Sequence, residues 1–575
     1  MKNGSRRLQW REIIFNRAFM KIQVSELVVK YLERLGIEFI FGMPGAHILP
    51  VYDSLYHSSV KTVLAKHEQG ASFMASGCAR ASGKISACIT TAGPGATNLV
   101  TGIASAYADK QPILIITGET STHIFGKGGL QESSGEGGSI DQSALFQGIT
   151  RYHKVVERTD YLANVLNQAS KALFSDTPGP VLLSFPFNVQ KELVDADLLD
   201  EVLTEKPGYV MYENIQSINA LTDMILEARN PVIVAGYGCI KSGAQQLVSE
   251  LSDSLNIPVT SSMKGKGVIS EQSRLSLGSL GVTSTGYAYR YIVDNADAII
   301  FLGAGFNERT SYLWDKTLLE NKKIAQIDSN PEQLQKVFKA DVAITADIKA
   351  ALRGVLKNLD AQGVDREAAR KQIAANDPVE KRDAGSSEVF QSGFALVEKF
   401  FKRLEKRFEK DLIVFDDNMI FAQNFFNVSA GNRFYPNSGI SSLGHAIPAA
   451  IGARFSEHKP TIAIIGDGGF QMCCMELMTA VNYEIPITVV MFNNATMGLI
   501  RKNQHQGYGQ RYIDCDFSNP DYSLLAKSFG IEFQHVATSE DLDRVFAETD
   551  FVADINLIEI MLDKELFPNY SSRRS

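Results

Sequence analysis

Two oxygen-bearing side chains follow two apolar segments of this chain, near the point where each segment ends. Asp467 follows the apolar residues 461–465 within a Gly-Asp-Gly turn, and Asn494 follows the apolar residues 487–492. Uninterrupted apolar runs of this kind are typical of buried parallel strands, whose carboxyl ends meet at one edge of the sheet. Carboxylate and amide oxygens beside glycine amides suit Mg²⁺ that is shared with phosphate groups. The spacing therefore predicts a magnesium-bound diphosphate, although an isolated Gly-Asp-Gly is otherwise a common turn.

The pattern resembles that of the thiamine diphosphate enzymes, and Glu68 supports the resemblance. Those enzymes need a carboxylate that hydrogen-bonds the aminopyrimidine ring, so that the cofactor's own amine can deprotonate the thiazolium carbon. Glu68 lies between the strand-like residues 62–64 and a predicted helix of small residues at 71–81. Close packing of that helix favours a buried acid with a raised pKa. The resemblance implies thiamine diphosphate and Mg²⁺ as cofactors, whereas a glutamate at a strand end is otherwise usually a solvated surface residue.

Four further segments are similar to the catalytic subunit of acetolactate (acetohydroxyacid) synthase, one branch of that family. They comprise residues 41–45 together with 48–53, then 93–103, 438–444 and 447–452, and the similarity continues in order from about Lys21 to the end of the chain. Several motifs in the same order identify the branch much more specifically than any single motif does.

This resemblance implies a set of site residues that no single motif would justify. The implied catalytic residues are Glu68, Gln131, Lys154 and Arg309. The implied cofactor contacts are Pro44, Asn98, Gly439, Leu443, Gly466, Gly468, Gly469, Met472, Met497 and Gly498. The implied metal ligands are Asp467, Asn494 and Thr496. The resemblance gives Leu443 the role of an apolar wedge that bends the cofactor, while taken singly Leu443 is an ordinary core residue and Gln131 and Lys154 are ordinary surface residues.

The composition is that of a large acidic globular protein. The 575 residues are 45% hydrophobic and carry a formal net charge of −8, which gives no electrostatic reason to bind nucleic acid. No apolar run is long enough to span a bilayer, and the six cysteines lack metal-type spacing. Residues 471–482 are predicted to form a helix, in which the thiols of Cys473 and Cys474 are expected to be buried. We therefore expect a reduced, cytoplasmic protein. The basic residues 1–19 are expected to be a disordered extension or the product of an upstream start codon rather than a targeting segment.

The order of apolar strands and helical stretches predicts three α/β units, each a doubly wound parallel sheet. They span residues 20–190, 208–358 and 389–575, and residues 359–388 are predicted to form a surface helix and a linker. The apolar runs 231–235 and 298–302 are predicted to be strands of the second α/β unit. The resemblance implies a pyrimidine-binding domain, a central nucleotide-binding-like domain and a diphosphate-binding domain. It also implies active sites at a subunit interface, hence a homodimer or homotetramer, and leaves open whether a regulatory subunit binds.

The sequence of the central unit does not decide which acceptor substrate is used or whether a flavin is bound. Arg309 ends a segment similar to the family's Phe-Asp-Asp-Arg, and a guanidinium suits the carboxylate of a 2-oxoacid. The family's Gly-Met-His-Gly-Thr near the flavin corresponds here to residues 278–282, which lack both Met and His. A partial glycine motif at 236–238 is equally consistent with a plain strand–helix turn. Bound FAD and its absence both remain consistent with these residues.

Three further departures from the family pattern bear on specificity. Asn503 occupies the position of a tryptophan that favours 2-oxobutyrate as acceptor, and Ala46 replaces a glycine beside the reaction centre. Residues 132–139 form a longer, glycine-rich loop after Gln131, which is either a lid or a plain exposed loop.

The resemblance implies a carboligase that decarboxylates pyruvate and transfers the two-carbon unit to a second 2-oxoacid, giving 2-acetolactate. One alternative is the same transfer to another aldehyde or ketone, such as a keto-sugar or a secondary metabolite. A second alternative is an activity like that of pyruvate oxidase. A non-catalytic partner subunit is disfavoured because Glu68, Asp467 and Asn494 are all present.

Overall fold

A computed structural model describes residues 21–206, 215–372, 390 and 392–569, and within them the chain forms three sheets of six parallel strands. The predicted fold class, parallel-sheet α/β, is confirmed. The described residues divide into two compact units. The first contains residues up to 206 together with Gly439–His458 and Cys473–Ile485, and the second contains the remainder. Residues 1–19 and 373–388, on which two of the predictions fall, lie outside the described residues.

The first unit contains one six-stranded sheet and a short antiparallel pair. Its strands are β1 (Lys21–Gln23), β2 (Phe39–Gly42), β3 (Lys61–Leu64), β4 (Ser86–Thr90), β5 (Ile113–Glu119), β6 (Tyr152–Val155), β7 (Val181–Pro186) and β8 (Leu193–Asp195). The parallel sheet has the order β3-β2-β4-β5-β7-β6, and β1 pairs with β8. The sequence favours a start of the first helix within residues 20–24; the helix begins at Val24, and the preceding Lys21–Gln23 is a strand.

Helices cover the first sheet. The α-helices of this unit are Val24–Arg34, Leu49–Leu55, Glu68–Ser82, Pro94–Ala108, Gln142–Gln147, Leu162–Phe174, Phe187–Gln190, Ala446–Ser456 and Leu477–Asn482. Its 3₁₀ turns are Thr122–Ile124, Ala196–Glu201 and Cys474–Glu476. Glycines let two of these helices approach closely: a Cβ on Gly77 would lie 1.9 Å from the carbonyl oxygen of Ala449, and one on Gly452 would lie 2.0 Å from that of Met74. The small residues of the Glu68 helix therefore serve backbone-to-backbone packing.

The second unit contains the other two sheets. The central strands are β9 (Pro231–Ala235), β10 (Val259–Ser261), β11 (Ser276–Ser279), β12 (Ala298–Leu302), β13 (Lys323–Asp328) and β14 (Val342–Thr345), in the order β11-β10-β9-β12-β13-β14. The C-terminal strands are β15 (Ile413–Asp416), β16 (Arg433–Pro436), β17 (Thr461–Gly466), β18 (Thr488–Asn493), β19 (Glu532–Val536) and β20 (Asn556–Met561), in the order β16-β15-β17-β18-β20-β19.

Helices and 3₁₀ turns join these strands. The α-helices are Ile215–Glu227, Tyr237–Lys241, Gln245–Leu255, Tyr287–Asn295, Ile348–Ala361, Arg366–Gln372, Ala395–Arg407, Ile420–Phe425, Asp467–Cys473, Gly498–Gly507, Tyr522–Phe529 and Ser539–Glu548. The 3₁₀ turns are Met263–Gly265, Lys316–Leu318, Pro331–Gln333 and Ser392–Phe394. Over the described residues, no helix combines the length and the apolar character needed to cross a bilayer.

One predicted helix is broken. The sequence predicts a continuous helix over 471–482, whereas the structure has Asp467–Cys473, a 3₁₀ turn and then Leu477–Asn482. The break brings the Glu476 carboxylate into the protein, where backbone amides bind it. The thiols of Cys473 and Cys474, expected to be buried, are half-buried at this break.

Candidate active site

Asp467 and Asn494 lie at the same edge of the C-terminal sheet. Strands β17 and β18 pair directly in parallel, with Gly466 opposite Phe492. Asp467 follows Gly466, and Asn494 comes just after β18 ends. The placement of both residues at adjacent carboxyl ends, predicted from two apolar runs, is therefore present in the structure.

The Asp467 carboxylate is buried and strongly hydrogen-bonded. Only 1% of the residue is exposed. Its Oδ2 accepts hydrogen bonds from the Ala495 amide at 2.7 Å and from Asn519 Nδ2 at 2.8 Å, and its Oδ1 accepts one from the Gly468 amide at 3.0 Å. Burial raises the pKa of Asp467, and these bonds oppose the rise. Oδ1, with one weaker bond, is the oxygen best placed to bind a cation.

Asn519 is a member of this cluster that sequence reasoning missed. Its Nδ2 also donates to Asn493 Oδ1 at 2.7 Å, so that one side chain ties together the ends of β17 and β18. Asn519 is in an irregular segment before the Tyr522–Phe529 helix and follows no apolar run. The sequence around it therefore gives no sign that it binds Asp467.

Close contacts explain the glycines around Asp467. A Cβ on Gly468 would lie 2.7 Å from Met497 Sδ, and one on Gly469 would lie 2.7 Å from Asp417 Oδ2. A Cβ on Gly498 would lie 2.9 Å from Asn494 Nδ2. The backbone of both turns is thus packed against neighbouring side chains, and a larger residue at any of these positions would displace one of them.

Thr496 and Met472 differ in their surroundings. The Thr496 amide donates to Asn494 Oδ1 at 3.3 Å, and its hydroxyl donates to the Cys515 carbonyl at 2.9 Å. Met472 is 59% exposed in the single chain. The donor set of one carboxylate and neutral amide oxygens at a glycine turn fits a hard divalent cation with phosphate oxygens. Among the described residues there is no cluster of His, Cys, Asp and Glu that would compete for a transition metal.

Glu68 is the first residue of the Glu68–Ser82 helix, and a neighbouring helix holds its carboxylate. Asn98 Nδ2 donates to Glu68 Oε2 at 3.0 Å. The sequence therefore predicted two residues, Glu68 and Asn98, that contact each other. The expectation of a fully buried acid is wrong for the single chain, because Glu68 is half-buried at the exposed start of its helix.

Glu476 fixes the start of that helix and was missed by the sequence reasoning. Its Oε1 accepts from the amides of Lys66 and His67, each at 3.0 Å, and its Oε2 accepts from the Thr479 hydroxyl at 2.8 Å. A Cβ on Gly70 would lie 2.1 Å from Glu476 Oε1. The available signal was an acidic residue inside an otherwise uncharged predicted helix.

Gln131 lies near the loop that follows β2. Its Oε1 is 3.3 Å from His47 Nδ1 and accepts from the Thr91 hydroxyl at 3.2 Å. Gln131 itself has a φ of 53°, a left-handed conformation that is strained for a non-glycine residue. Pro44 lies exposed in the loop after β2. The structure thus brings Gln131 together with the family-like segments around His47 and Thr91.

Glu132 anchors the glycine-rich loop. Its carboxylate accepts from the amides of Gly126 and Gly129 at 2.5 and 2.8 Å and from the Ser134 hydroxyl at 2.7 Å. These hydrogen bonds hold the pKa of Glu132 below its ordinary value. The base of the loop is therefore tied down, while its tip at residues 135–138 is exposed.

Lys154 and Gln131 do not contact each other. Lys154 lies on the edge strand β6, and its ammonium lies 5.4 Å from the centre of the Tyr161 ring. Elsewhere in the same unit, Leu443 is half-buried in the loop before the Ala446–Ser456 helix. Gly439 packs against Asp109, because a Cβ there would lie 2.9 Å from Asp109 Oδ1.

Arg309 lies in a turn of the second unit, close enough to Asp416 for its positive charge to stabilise the Asp416 carboxylate. Asp416 ends β15, and burial raises its pKa to about 7, while Arg309 and a hydrogen bond from Gln423 Nε2 at 3.0 Å oppose the rise. The Val282 amide donates to the Arg309 carbonyl at 3.2 Å. The two segments with a family resemblance in the central domain, 278–282 and 306–309, are therefore neighbours. Asp416 had no sequence signal beyond its position at a strand end.

The chain matches three family models in order. Residues 22–144 match the N-terminal TPP binding domain of thiamine pyrophosphate enzymes, residues 218–355 match the central domain, and residues 417–553 match the C-terminal TPP binding domain. This chain belongs to the thiamine pyrophosphate enzymes. The last match contains Asp467, Asn494 and Thr496, and the first contains Glu68 and Asn98.

Proteins of known name that are similar to this chain indicate the branch of the thiamine pyrophosphate enzymes that it resembles. A probable acetolactate synthase large subunit from Methanococcus aeolicus is 32% identical over 562 residues, which cover 94% of this chain and 92% of that protein. The acetolactate synthase large subunit of Lactococcus lactis is 31% identical, with 94% and 92% coverage. The large subunit of acetolactate synthase isozyme 2 from Escherichia coli is 30% identical, with 90% and 92% coverage. The resemblance to acetolactate synthases is confirmed.

Proposed function

We propose that this enzyme is a thiamine diphosphate- and Mg²⁺-dependent carboligase that takes a two-carbon unit from pyruvate and joins it to a second 2-oxoacid, giving 2-acetolactate. The observation that carries the proposal is the placement of Asp467 and Asn494 after the ends of two directly paired parallel strands. The names of the relatives give acetolactate as their product, and the family resemblance implies pyruvate as the donor.

Three residues would hold the metal: Asp467 through Oδ1, Asn494 through its amide oxygen, and Thr496. Gly466, Gly468, Gly469 and Gly498 would let the backbone approach the diphosphate closely, and Met472 and Met497 would border it. Pro44, Gly439 and Leu443 would contact the organic rings. When bound, the cofactor supplies a nucleophilic carbon and an electron sink.

Glu68 would exchange the proton that activates the cofactor. Asn98 fixes one oxygen of the carboxylate at 3.0 Å, so that the other oxygen is oriented for proton transfer. Glu476 holds the amides that precede Glu68 and so sets the position of its backbone. These contacts restrict the acid to a narrow range of orientations.

Arg309 would bind the carboxylate of the acceptor, and Gln131 and Lys154 would contact substrate. Gln131 is held by its contacts with His47 and Thr91. Arg309 is half-buried, which strengthens its attraction for an anion relative to a solvated arginine.

We also propose that the enzyme is a homo-oligomer. Large apolar side chains are exposed in the single chain, including Tyr56 at 84% and Leu130 at 70%, as expected for a surface that another subunit covers. The name "large subunit" of the relatives supports a smaller regulatory partner. Sedimentation of the purified chain, and of the enzyme isolated from its own cells, measures both: a monomer in each case would contradict the proposal.

The function is tested by incubating the purified enzyme with thiamine diphosphate, Mg²⁺ and pyruvate alone. The proposal predicts one acetolactate and one CO₂ for every two pyruvates consumed. Release of CO₂ with acetate and consumption of oxygen would instead indicate the oxidase alternative. Absence of pyruvate consumption with any acceptor would contradict the donor assignment. Flavin absorbance of the purified protein tests for FAD independently.

Glu68→Gln tests the proton-transfer role. The amide keeps an oxygen for Asn98 but has no carboxylate, so turnover is expected to fall by roughly a hundredfold or more. Glu136→Gln is the matched control, because Glu136 lies at the exposed loop tip. Full turnover by Glu68→Gln would remove Glu68 from the mechanism.

A further inference from the structure

Glu119 is a buried acid at the carboxyl end of the first sheet, and the proposed reaction gives it no role. It is the last residue of β5, one of the two central strands, and it is fully buried. Its Oε1 accepts hydrogen bonds from the amides of Thr120 at 2.7 Å and Ser133 at 3.1 Å. Burial raises the pKa of Glu119, and these two bonds oppose the rise. Because burying a carboxyl is unfavourable, its contacts with the backbone account for its place here.

Ser133 joins the Glu119 carboxyl to Gln131. While the Ser133 amide donates to Glu119, the Ser133 hydroxyl donates to the Gln131 carbonyl oxygen at 3.0 Å and accepts from the Gly93 amide at 2.9 Å. Ser133 is only 1% exposed, so water does not replace these partners. One residue, held through both its backbone and its side chain, therefore ties Gln131 to the end of β5 and to the turn that follows β4.

Gln142 holds the same serine from the far end of the glycine-rich loop. Its amide donates to the Ser133 carbonyl at 3.1 Å, and its Nε2 donates to the Thr117 hydroxyl at 2.8 Å. Thr117 and Glu119 are two positions apart on β5, so their side chains lie on the same face of that strand. Both ends of the loop are thus attached to one face of β5, whereas its tip at residues 135–138 is exposed.

Gln131 requires such an anchor because its backbone is strained. Its φ of 53° is in the left-handed region, which is unfavourable for a residue that carries a Cβ. In this conformation its Oε1 accepts from the Thr91 hydroxyl at 3.2 Å and lies 3.3 Å from His47 Nδ1. A Cβ on Gly93 would lie 3.1 Å from Gln131 Cβ, so the neighbouring turn leaves little room for another arrangement. The strained backbone and the placement of the amide group therefore depend on each other.

We propose that Glu119 is a positioning residue for the proposed reaction. By binding the Ser133 amide, it holds Gln131 in the left-handed conformation in which the Gln131 amide oxygen faces His47 and Thr91. Glu119 acts through Gln131 rather than by touching substrate, and loss of its contact would displace a group that orients substrate. The contact between Gln131 and substrate rests on the proposed function, whereas the link from Glu119 to Gln131 rests on the hydrogen bonds through Ser133.

Hydrogen exchange in the purified enzyme, before substrate is added, tests the link from Glu119 to the loop. Glu119→Leu removes the acceptor of the Ser133 amide, so this amide, followed in a peptide of residues 128–142, is expected to exchange roughly tenfold faster. Glu119→Gln keeps an oxygen for both amides and is expected to exchange within about threefold of the wild type. Ser170→Ala is the control: Ser170 is a buried residue of the same unit whose hydroxyl bonds Tyr31, and its loss should leave this peptide unchanged.

Turnover in two backgrounds tests whether Glu119 acts through Gln131. In the otherwise native enzyme, Glu119→Leu is expected to lower kcat/KM for pyruvate roughly tenfold to a hundredfold, and Glu119→Gln should restore it to within about threefold of the wild type. In Gln131→Ala enzyme, the group that Glu119 positions is already absent. There Glu119→Leu is expected to change kcat/KM by less than about twofold, because effects that pass through one group are not additive. A merely structural role would lower kcat/KM equally in both backgrounds.

Glu119→Asp provides a milder variant if Glu119→Leu does not fold, as judged by circular dichroism. The shorter acid keeps the carboxyl group but does not reach both amides, so it is expected to speed exchange of the Ser133 amide about threefold to tenfold. Its kcat/KM should fall in the native background and not in Gln131→Ala enzyme.

Two results would overturn the role of Glu119: wild-type exchange of residues 128–142 in the folded Glu119→Leu or Glu119→Asp variant, or equal losses of kcat/KM in the native and Gln131→Ala backgrounds. Absence of pyruvate consumption by the wild type with any acceptor would instead contradict the proposed function. In that case the exchange measurement would still decide whether Glu119 holds the loop, because it requires no turnover.

Discussion

Glu476→Ala removes a buried carboxylate that supports the start of the Glu68 helix without being part of that helix. In the native enzyme this side chain is 3% exposed. It accepts from the amides of Lys66 and His67 at 3.0 Å and from the Thr479 hydroxyl at 2.8 Å. The negative charge also lies at the N-terminal end of a helix, where it is favourable. The substitution therefore leaves two backbone N–H groups without their acceptor directly before Glu68.

The structure sets the size of the effect. A buried N–H without a partner costs about 1 to 3 kcal/mol. Lys66 is half-buried and His67 is exposed, so water can bind these amides in part. We therefore expect the free energy of unfolding to fall by about 2 to 3 kcal/mol. Because Glu68 follows the freed amides, we also expect kcat to fall by roughly tenfold to a hundredfold.

Glu476→Gln separates hydrogen bonding from charge. Both backbone amides bind Oε1, so a glutamine oxygen at that position keeps them, and its NH₂ group can donate to the Thr479 hydroxyl. This variant is expected to lose less than about 1.5 kcal/mol. Glu484→Ala, at an exposed glutamate of the same segment, is the control for a surface change.

Three measurements are needed: urea unfolding followed by circular dichroism, pyruvate turnover, and hydrogen exchange of a peptide containing residues 64–72. Faster exchange in this peptide for Glu476→Ala, with wild-type exchange for the control, is the expected result. Wild-type exchange and wild-type kcat in Glu476→Ala would refute the positioning role. Equal losses in the alanine and glutamine variants would indicate that charge, rather than hydrogen-bond geometry, is responsible.

The remaining predictions concern packing, metal and pH. Gly77→Ala should lower the free energy of unfolding by at least about 2 kcal/mol, because its Cβ would lie 1.9 Å from the Ala449 carbonyl oxygen, and this outweighs the better helix propensity of alanine. Gly507→Ala is the control: a Cβ there would lie in open space, so the substitution should be neutral or stabilising in the same urea assay. Asp467→Asn should weaken thiamine diphosphate binding, measured by calorimetry, roughly a hundredfold. Chelation of divalent metal should weaken binding to the wild type to a similar extent. Unchanged affinity in either experiment would argue against the metal site. Burial raises the pKa of Glu405 from 4.5 to about 7, so the folded protein holds the proton of this carboxyl more tightly than the unfolded chain does. The resulting stability is fully present below pH 4.5, and roughly 3 kcal/mol of it is lost as the pH rises through 7. Glu405→Gln should flatten that part of the stability profile, and an unchanged slope would contradict it.

Several elements of this enzyme were predictable because they depend on local sequence. The strands Pro231–Ala235 and Ala298–Leu302 have the predicted bounds, since each is an apolar run between polar or glycine residues. Asp467 and Asn494 were predictable for the same reason: each follows such a run, and parallel strands place their carboxyl ends together. Glycine positions beside them indicated a tight turn.

Other features required the tertiary structure. Glu476 binds amides more than four hundred positions earlier in the chain, and Asn519 binds Asp467 across 52 positions. Glu119 ends β5, and its contact with the Ser133 amide depends on how the loop after that strand folds back. Hydrophobic periodicity reports which face of a strand or helix is buried, but it does not report which distant segments become neighbours. That choice depends on strand order and on packing between helices, so the buried partners that position a reactive group are decided only when the chain is folded.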